Sequence, residues 1–101
     1  MRFPLTIQSR VAASKNQVSS NLDGEIVVLG LNKGVYYGLN PVASFVWGLI
    51  QDRPRRIEEI LAAIQERYLV DPRKSEKDLD KLIGELHTQG LVEVRRHRSS
   101  S

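Results

Sequence analysis

Cysteine is absent from all 101 residues. That excludes disulfides, thiolate nucleophiles and cysteine-ligated zinc, and it suits a reducing, cytoplasmic setting. No apolar run is long enough to cross a bilayer: the longest, Val42 to Ile50, is interrupted by Ser44 and Gly48. Met1 to Asn16 contains no signal-peptide core. A soluble protein with no membrane partner is expected. Histidine is scarce. His87 and His97 share no metal-ligand spacing with any partner, so neither a metal nor another cofactor is expected. There is no Gly-rich phosphate loop and no nucleophile elbow. Neighbouring carboxylates such as Glu58 and Glu59 read as a solvated helix face. What these absences leave is a binding module, not an enzyme.

Hydrophobic residues make up 41% of the chain, enough for one folded domain of this length. Acid and base are 12 against 15, for a net charge of +3. Arg95, Arg96 and Arg98 account for that excess, so setting those three aside leaves 12 basic against 12 acidic residues. The expected organisation is a neutral domain over 1–94, with its core over 17–94, and a disordered basic tail over 95–101.

The first half carries strand signals. Gln17 to Leu22 and Glu25 to Leu29 flank Asp23-Gly24, a strong hairpin dipeptide. Asn32-Lys33-Gly34 makes the next turn, and Val35 to Leu39 forms a third strand. Met1 to Asn16 is ambiguous, with room for a short extra strand near Leu5 to Ile7. At Asn40-Pro41 the pattern switches, with an N-cap followed by a residue suited to the first helical position. Val42, Phe45, Val46, Leu49 and Ile50 then lie on one helical face, which places Trp47 off the stripe as a partly buried packing residue. Pro54 ends this helix, and Arg53, Arg55 and Arg56 read as a solvated loop. A second helix carries Ile57, Ile60, Leu61, Ile64 and Tyr68. Val70-Asp71-Pro72 breaks it. Ser75 to Asp78 resembles a capping box that opens a third helix, with Gly90 past its end as the C′ residue. Leu91 to Val94 closes the domain as an extended segment. The expected fold class is α+β and winged-helix-like: an N-terminal three-stranded antiparallel sheet followed by three helices.

Several stretches, in this order, resemble the PqqD-like family, the peptide-recognition domains also called RiPP recognition elements. They are Leu22-Asp23-Gly24-Glu25-Ile26-Val27-Val28-Leu29, Gly34-Val35-Tyr36-Tyr37-Gly38-Leu39-Asn40, Phe45-Val46-Trp47 and Tyr68-Leu69-Val70-Asp71-Pro72. Asp78-Leu79, Leu82-Ile83, Leu86 and Gly90-Leu91-Val92 complete the set. No single piece is a catalytic fingerprint; the specificity lies in many weak pieces in order. The resemblance implies a standalone protein that binds the leader region of a ribosomally made precursor peptide, most like those of lasso-peptide biosynthesis. There the partners are a separate leader peptidase and a cyclase. Other standalone members serve radical enzymes, as in pyrroloquinoline quinone biosynthesis.

The resemblance also implies where the peptide sits: as a strand added to the third strand, beside the third helix. The residues concerned are Val35, Tyr36, Tyr37, Gly38 and Leu39, with Asp78, Leu79, Leu82, Ile83 and Leu86 on the helix. Independent physics supports the strand, because an edge offers unpaired backbone groups and its tyrosines give broad contact area with few rotatable bonds. On the helix the competing reading is strong, since Leu79, Leu82, Ile83 and Leu86 have the spacing of a core stripe. Gly84, mid-helix, reads either as permitting close approach by the sheet or the peptide or as a neutral surface position.

A hairpin with three helices also suggests a winged-helix DNA-binding protein. The charge speaks against it. From Ser75 to Gln89 the would-be recognition helix holds Glu76, Asp78, Asp80 and Glu85 against Lys77 and Lys81, a net of −2. Duplex affinity comes largely from basic side chains neutralising phosphates, so no specific nucleic-acid binding is expected.

Overall fold

Asp23 and Gly24 both take positive φ, +56° and +88°, as a two-residue hairpin turn matched to strand twist requires. In the computed structural model, which describes residues 8–95, they join β2 (Gln17–Leu22) to β3 (Glu25–Gly30). The register is fixed from Gln17 opposite Gly30 to Leu22 opposite Glu25. Gly34, at φ +65°, lets the chain return as β4 (Val35–Leu39), paired from Gly30–Val35 to Ile26–Leu39. The order β2-β3-β4 leaves β2 and β4 as edges.

A second sheet was not expected. β1 (Arg10–Ala13), β5 (Arg55–Arg56) and β6 (Val92–Arg95) form an antiparallel sheet in the order β5-β1-β6. Arg10 faces both Arg56 and Arg95, and Ala13 faces Val92. Ser9 carbonyl accepts from Ile57 N–H, and Ser14 N–H donates to Leu91 carbonyl, both at 2.9 Å. The ordered core thus begins ahead of residue 17, and Arg95 belongs to a strand. Arg55 and Arg56 are strand and cap residues here, not a solvated loop. Arg55 Nε donates to the Leu49 carbonyl at 3.1 Å, and Arg55 also pairs with Asp52 at 3.3 Å. The extra strand considered near Leu5 to Ile7 lies outside the described residues, as does the rest of the basic tail.

Asn40 caps α1 (Pro41–Asp52), its Oδ1 accepting from Ala43 N–H at 2.8 Å. The buried positions are Ala43, Val46, Trp47 and Ile50. The stripe is therefore rotated from the expected one, and Trp47 is completely buried at its centre. The reason is that α1 is apolar on several sides, which leaves its period ambiguous, and burying the largest ring gains the most. Trp47 Nε1 has no hydrogen-bond partner.

α2 (Ile57–Tyr68) presents Ile57, Ile60 and Ile64 to the core. Its first turn is closed by Glu59, whose Oε1 accepts the Arg56 N–H at 3.1 Å. α3 (Pro72–Thr88) starts three residues before the expected Ser75. Asp71 is its N-cap, with Oδ1 accepting from Arg73 N–H at 3.0 Å, and Pro72 is the first helical residue. Asp71-Pro72 repeats the chemistry of Asn40-Pro41: it ends one helix only because it starts the next. At the other end Gly90, at φ +74°, donates to the His87 carbonyl while Leu91 N–H donates to the Leu86 carbonyl. This is a Schellman ending, and it turns the chain directly into β6. Leu79, Ile83 and Leu86 pack with Val28, Leu39, Ile60 and Trp47 in one core.

Candidate peptide-binding groove

β4 is paired to β3 on one side only, so its other backbone edge is unpaired by any described strand. Alternation divides its side chains. Leu39 is buried and Tyr37 half-buried on the core face, while Tyr36, 71% exposed, and Gly38 lie on the outer face. Val35, at the turn, is 44% exposed.

Beside the end of β4 a groove of about 530 Å3 opens. Asn40, Val42 and Val46 wall it on the α1 side, and Ile64, Tyr68 and Val70 close one end. Tyr68 is braced edge-on by Phe45, with ring centroids 5.7 Å apart, and the Arg67 guanidinium stacks over Phe45 at 5.4 Å. The opposite wall is one face of α3: Lys74, Asp78, Lys81, Leu82 and Glu85, with Leu79 beneath. These positions recur at three- and four-residue steps, so they share a helical face.

Two contacts bind β4 and its turn to α3. Tyr37 Oη donates to Glu85 Oε2, and Lys33 Nζ donates to the Thr88 carbonyl at 3.3 Å. Burial first, then the hydrogen bond and negative charge of Glu85, push the Tyr37 hydroxyl up to about 12. Tyr37 is therefore a donor throughout the physiological range.

Of the residues expected at the site, Asp78, Leu79 and Leu82 line the groove, Asp78 exposed and Leu82 half-buried. Ile83 and Leu86 are fully buried and belong to the core beneath. Val35 to Leu39 form the adjoining edge and do not line the groove, which starts at Asn40. Tyr37 alone of these five reaches a wall residue by a hydrogen bond, through Glu85. The sequence reading did not single out Val42, Val46, Lys81 or Glu85 for this wall. Their helical spacing could have found Lys81 and Glu85, one and two turns beyond Asp78. Gly84 has open space around a would-be Cβ, so no close approach by the sheet explains it.

With its true start at Pro72, α3 adds Arg73 and Lys74 to the charges counted from Ser75. It then carries four basic residues (73, 74, 77, 81) against four acidic ones (76, 78, 80, 85). It is neutral rather than acidic, and still lacks the basic excess that a groove-reading helix uses. Among the described residues no group of three or more His, Cys, Asp or Glu is placed to hold a metal ion, and no helix is long and apolar enough to cross a membrane.

The sequence profile of coenzyme PQQ synthesis protein D (PqqD) matches residues 25–92, the stretch from β3 to the start of β6. The chain belongs to the PqqD family. Two solved structures share its fold closely. One, TbiB1 in complex with the TbiA(beta) leader peptide, is 38% identical with a TM-score of 0.76, covering 81% of this chain and 94% of that one. The other, a lasso peptide synthetase B1 complexed with the leader peptide, is 19% identical with a TM-score of 0.72, covering 82% and 96%. At that lower identity it bears on the fold alone. No curated protein matches the chain.

Proposed function

We propose that this PqqD-family chain binds the leader region of a ribosomally made precursor peptide. The leader adds as a strand to β4 and lays side chains into the groove between α1 and α3. The observation that carries this is the unpaired β4 edge running into a groove that is apolar at its floor and charged along its α3 wall. Such an edge supplies affinity through main-chain bonds, and the adjoining groove supplies selectivity through alternate side chains. The 38% identity to TbiB1, solved in complex with the TbiA(beta) leader peptide, supports the same reading, and the resemblance to standalone lasso-pathway members favours that pathway over service to a radical enzyme. In that role the chain carries no chemistry of its own. It delivers the leader to separate maturation enzymes, a leader peptidase and a cyclase, in the cytoplasm where the precursor is made. Within the site, Val35 to Leu39 supply the backbone edge, while Asp78, Leu79 and Leu82 meet the peptide's side chains. Ile83 and Leu86 act from below by fixing the wall.

Titration calorimetry with the leader peptide of the precursor encoded beside the gene tests this. A one-to-one isotherm of low-micromolar affinity or tighter, roughly −8 kcal/mol or better, is expected. Absence of heat at high concentrations of both partners would count decisively against it. Duplex DNA serves as the contrasting ligand: binding that is sequence-selective and survives added salt would favour the winged-helix alternative instead.

A further inference from the structure

Four charges stand along the α3 wall of the groove, and they are not held alike. The side chains of Lys74, Asp78 and Lys81 take part in no hydrogen bond or ion pair with described residues. Glu85 is held: its Oε2 accepts the Tyr37 hydroxyl. Tyr37 is itself fixed on the core face of β4, opposite Val28. Burial and the neighbouring carboxylate keep its phenol protonated up to about 12, so it donates at every pH of interest. Lys81 lies one helical turn before Glu85 but forms no ion pair with it. Oε1 therefore remains open on a carboxylate whose orientation is already set. Preorganised acceptors of this kind discriminate better than free side chains, because less ordering is left to do on binding.

Strand geometry says what reaches it. A peptide strand added to β4 would lie about 4.8 Å away, and residues directly opposite each other share a face of the sheet. The peptide residue opposite Tyr37 would therefore send its side chain to the face on which Tyr37 meets Glu85. The residue opposite Leu39 would emerge on the same face two positions along, about 6.7 Å away. There it meets the apolar end of the groove at Val42, Val46 and Leu82.

We propose that Glu85 is a specificity-determining residue: held by Tyr37, it selects a lysine or arginine of the bound peptide. That residue stands two positions from an apolar side chain seated in the groove. The proposal rests on strand addition to β4 and deepens it by naming the peptide's chemistry. A cationic side chain suits the open oxygen, since a charge-assisted bond to a carboxylate is stronger than a neutral one.

The test is selection from a displayed library of random linear peptides on the intact chain and on variants. The wild type is expected to enrich sequences with a basic residue two positions from an apolar one, in either chain direction. Glu85→Lys should keep the apolar preference and exchange the basic residue for an acidic one at the same position. For individual synthetic peptides drawn from the wild-type selection, replacing the basic residue by glutamine should weaken binding about tenfold. That penalty should fall to about twofold or less in Glu85→Gln, and to an intermediate value in Tyr37→Phe. Thermal melts confirm that each variant is folded; Glu85 is exposed, so its replacement leaves the core intact. Enrichment without a basic preference, or an unchanged preference in Glu85→Lys, overturns the assignment of Glu85 while leaving strand addition standing. No enrichment of any peptide by the folded wild type overturns strand addition itself, and the assignment with it.

Discussion

The two sheets contain three strands each but are assembled in opposite ways. β2, β3 and β4 are consecutive in the chain, joined by tight turns, and five or six residues long. Val18, Leu22 and Tyr36 on them are more than half exposed. β5, β1 and β6 come from three distant stretches and are only two to four residues long. They enclose Ser9 and Val11, which have no exposure at all, and Val92, which is nearly as buried. One sheet is a local hairpin structure with backbone to spare at its edge. The other is a clasp that fastens the two ends of the domain to the start of α2 and the end of α3. The lesson is a division of labour: burial concentrates where distant segments meet, and an unpaired backbone edge is left where they do not.

Charge placed in the clasp should break this comparison most severely. Val11→Asp puts a carboxylate at a position with no exposure, and Arg55, its cross-strand neighbour, is already held by the Leu49 carbonyl and Asp52. The expected loss is about 3–5 kcal/mol or more, a large share of the stability of a domain this size. Denaturant unfolding monitored by circular dichroism measures it. A loss below about 1 kcal/mol would mean that the clasp is not a stability element.

The two edges of the hairpin sheet sharpen the contrast. Gly38 has open space around a would-be Cβ, and proline there removes a backbone donor from the strand. Gly38→Pro, or Tyr36→Pro on the same exposed face, should weaken leader binding by more than about a hundredfold, roughly 2.7 kcal/mol. Ser19→Pro on β2, the opposite edge, where alternation from the Leu22–Glu25 turn points the N–H outward, should change it by less than about threefold. The helical content of all three is checked first. Equal losses from both edges would show that proline acts by loosening the sheet rather than by blocking an added strand.

On α3 the comparison narrows to neighbours. Ile83 is fully buried and Leu82 half-buried on the groove wall. Ile83→Ala should cost about 2–5 kcal/mol of stability, with little change in affinity for the fraction that folds. Leu82→Ala should cost less stability and lower affinity about tenfold, about 1.4 kcal/mol. Calorimetry on the folded proteins separates the two, and the assignment of Leu82 fails if its affinity stays at the wild-type value. Amide exchange gives a parallel reading: bound peptide should add protection at Val35 to Leu39 and leave β5 unchanged.

The same division explains what could be read from the sequence. Local chemistry was legible. Asp23-Gly24, Gly34, Asn40-Pro41 and Gly90 each dictate a backbone state within a few residues, and each appears where its chemistry places it. The clasp was not legible, because Arg10–Ala13 and Arg55–Arg56 are too short for a period and acquire strand structure only from partners far along the chain. Asp71-Pro72 carried two messages at once, and reading only the stop displaced the start of α3. Within the site, the edge strand and the α3 face through Asp78 and Leu82 were visible as pattern. Glu85 lies on that same face and spacing could have placed it there, but its bond to Tyr37, 48 residues away, is a contact that no local spacing encodes.

The smallest effect tests that contact directly, through pH. The Tyr37 phenol moves from 10.0 to about 12, chiefly by burial, then by its bond to Glu85 and the charge of that carboxylate. Its proton is thus held more tightly in the folded chain than in the unfolded one. The stabilisation is complete below pH 10, where both states keep the proton. As pH rises from 10 toward 12 the unfolded chain ionises first, and the contribution is lost. A near-ultraviolet titration of phenolate absorbance should therefore contain a step near pH 12 in the wild type that Tyr37→Phe removes. Glu85→Gln should bring that step only part of the way back toward 10, since burial, the largest cause, remains. Stability measured across the same interval should fall less steeply in Tyr37→Phe than in the wild type. A titration with no late step, or one that Tyr37→Phe leaves in place, would show that β4 and α3 are not joined through this pair.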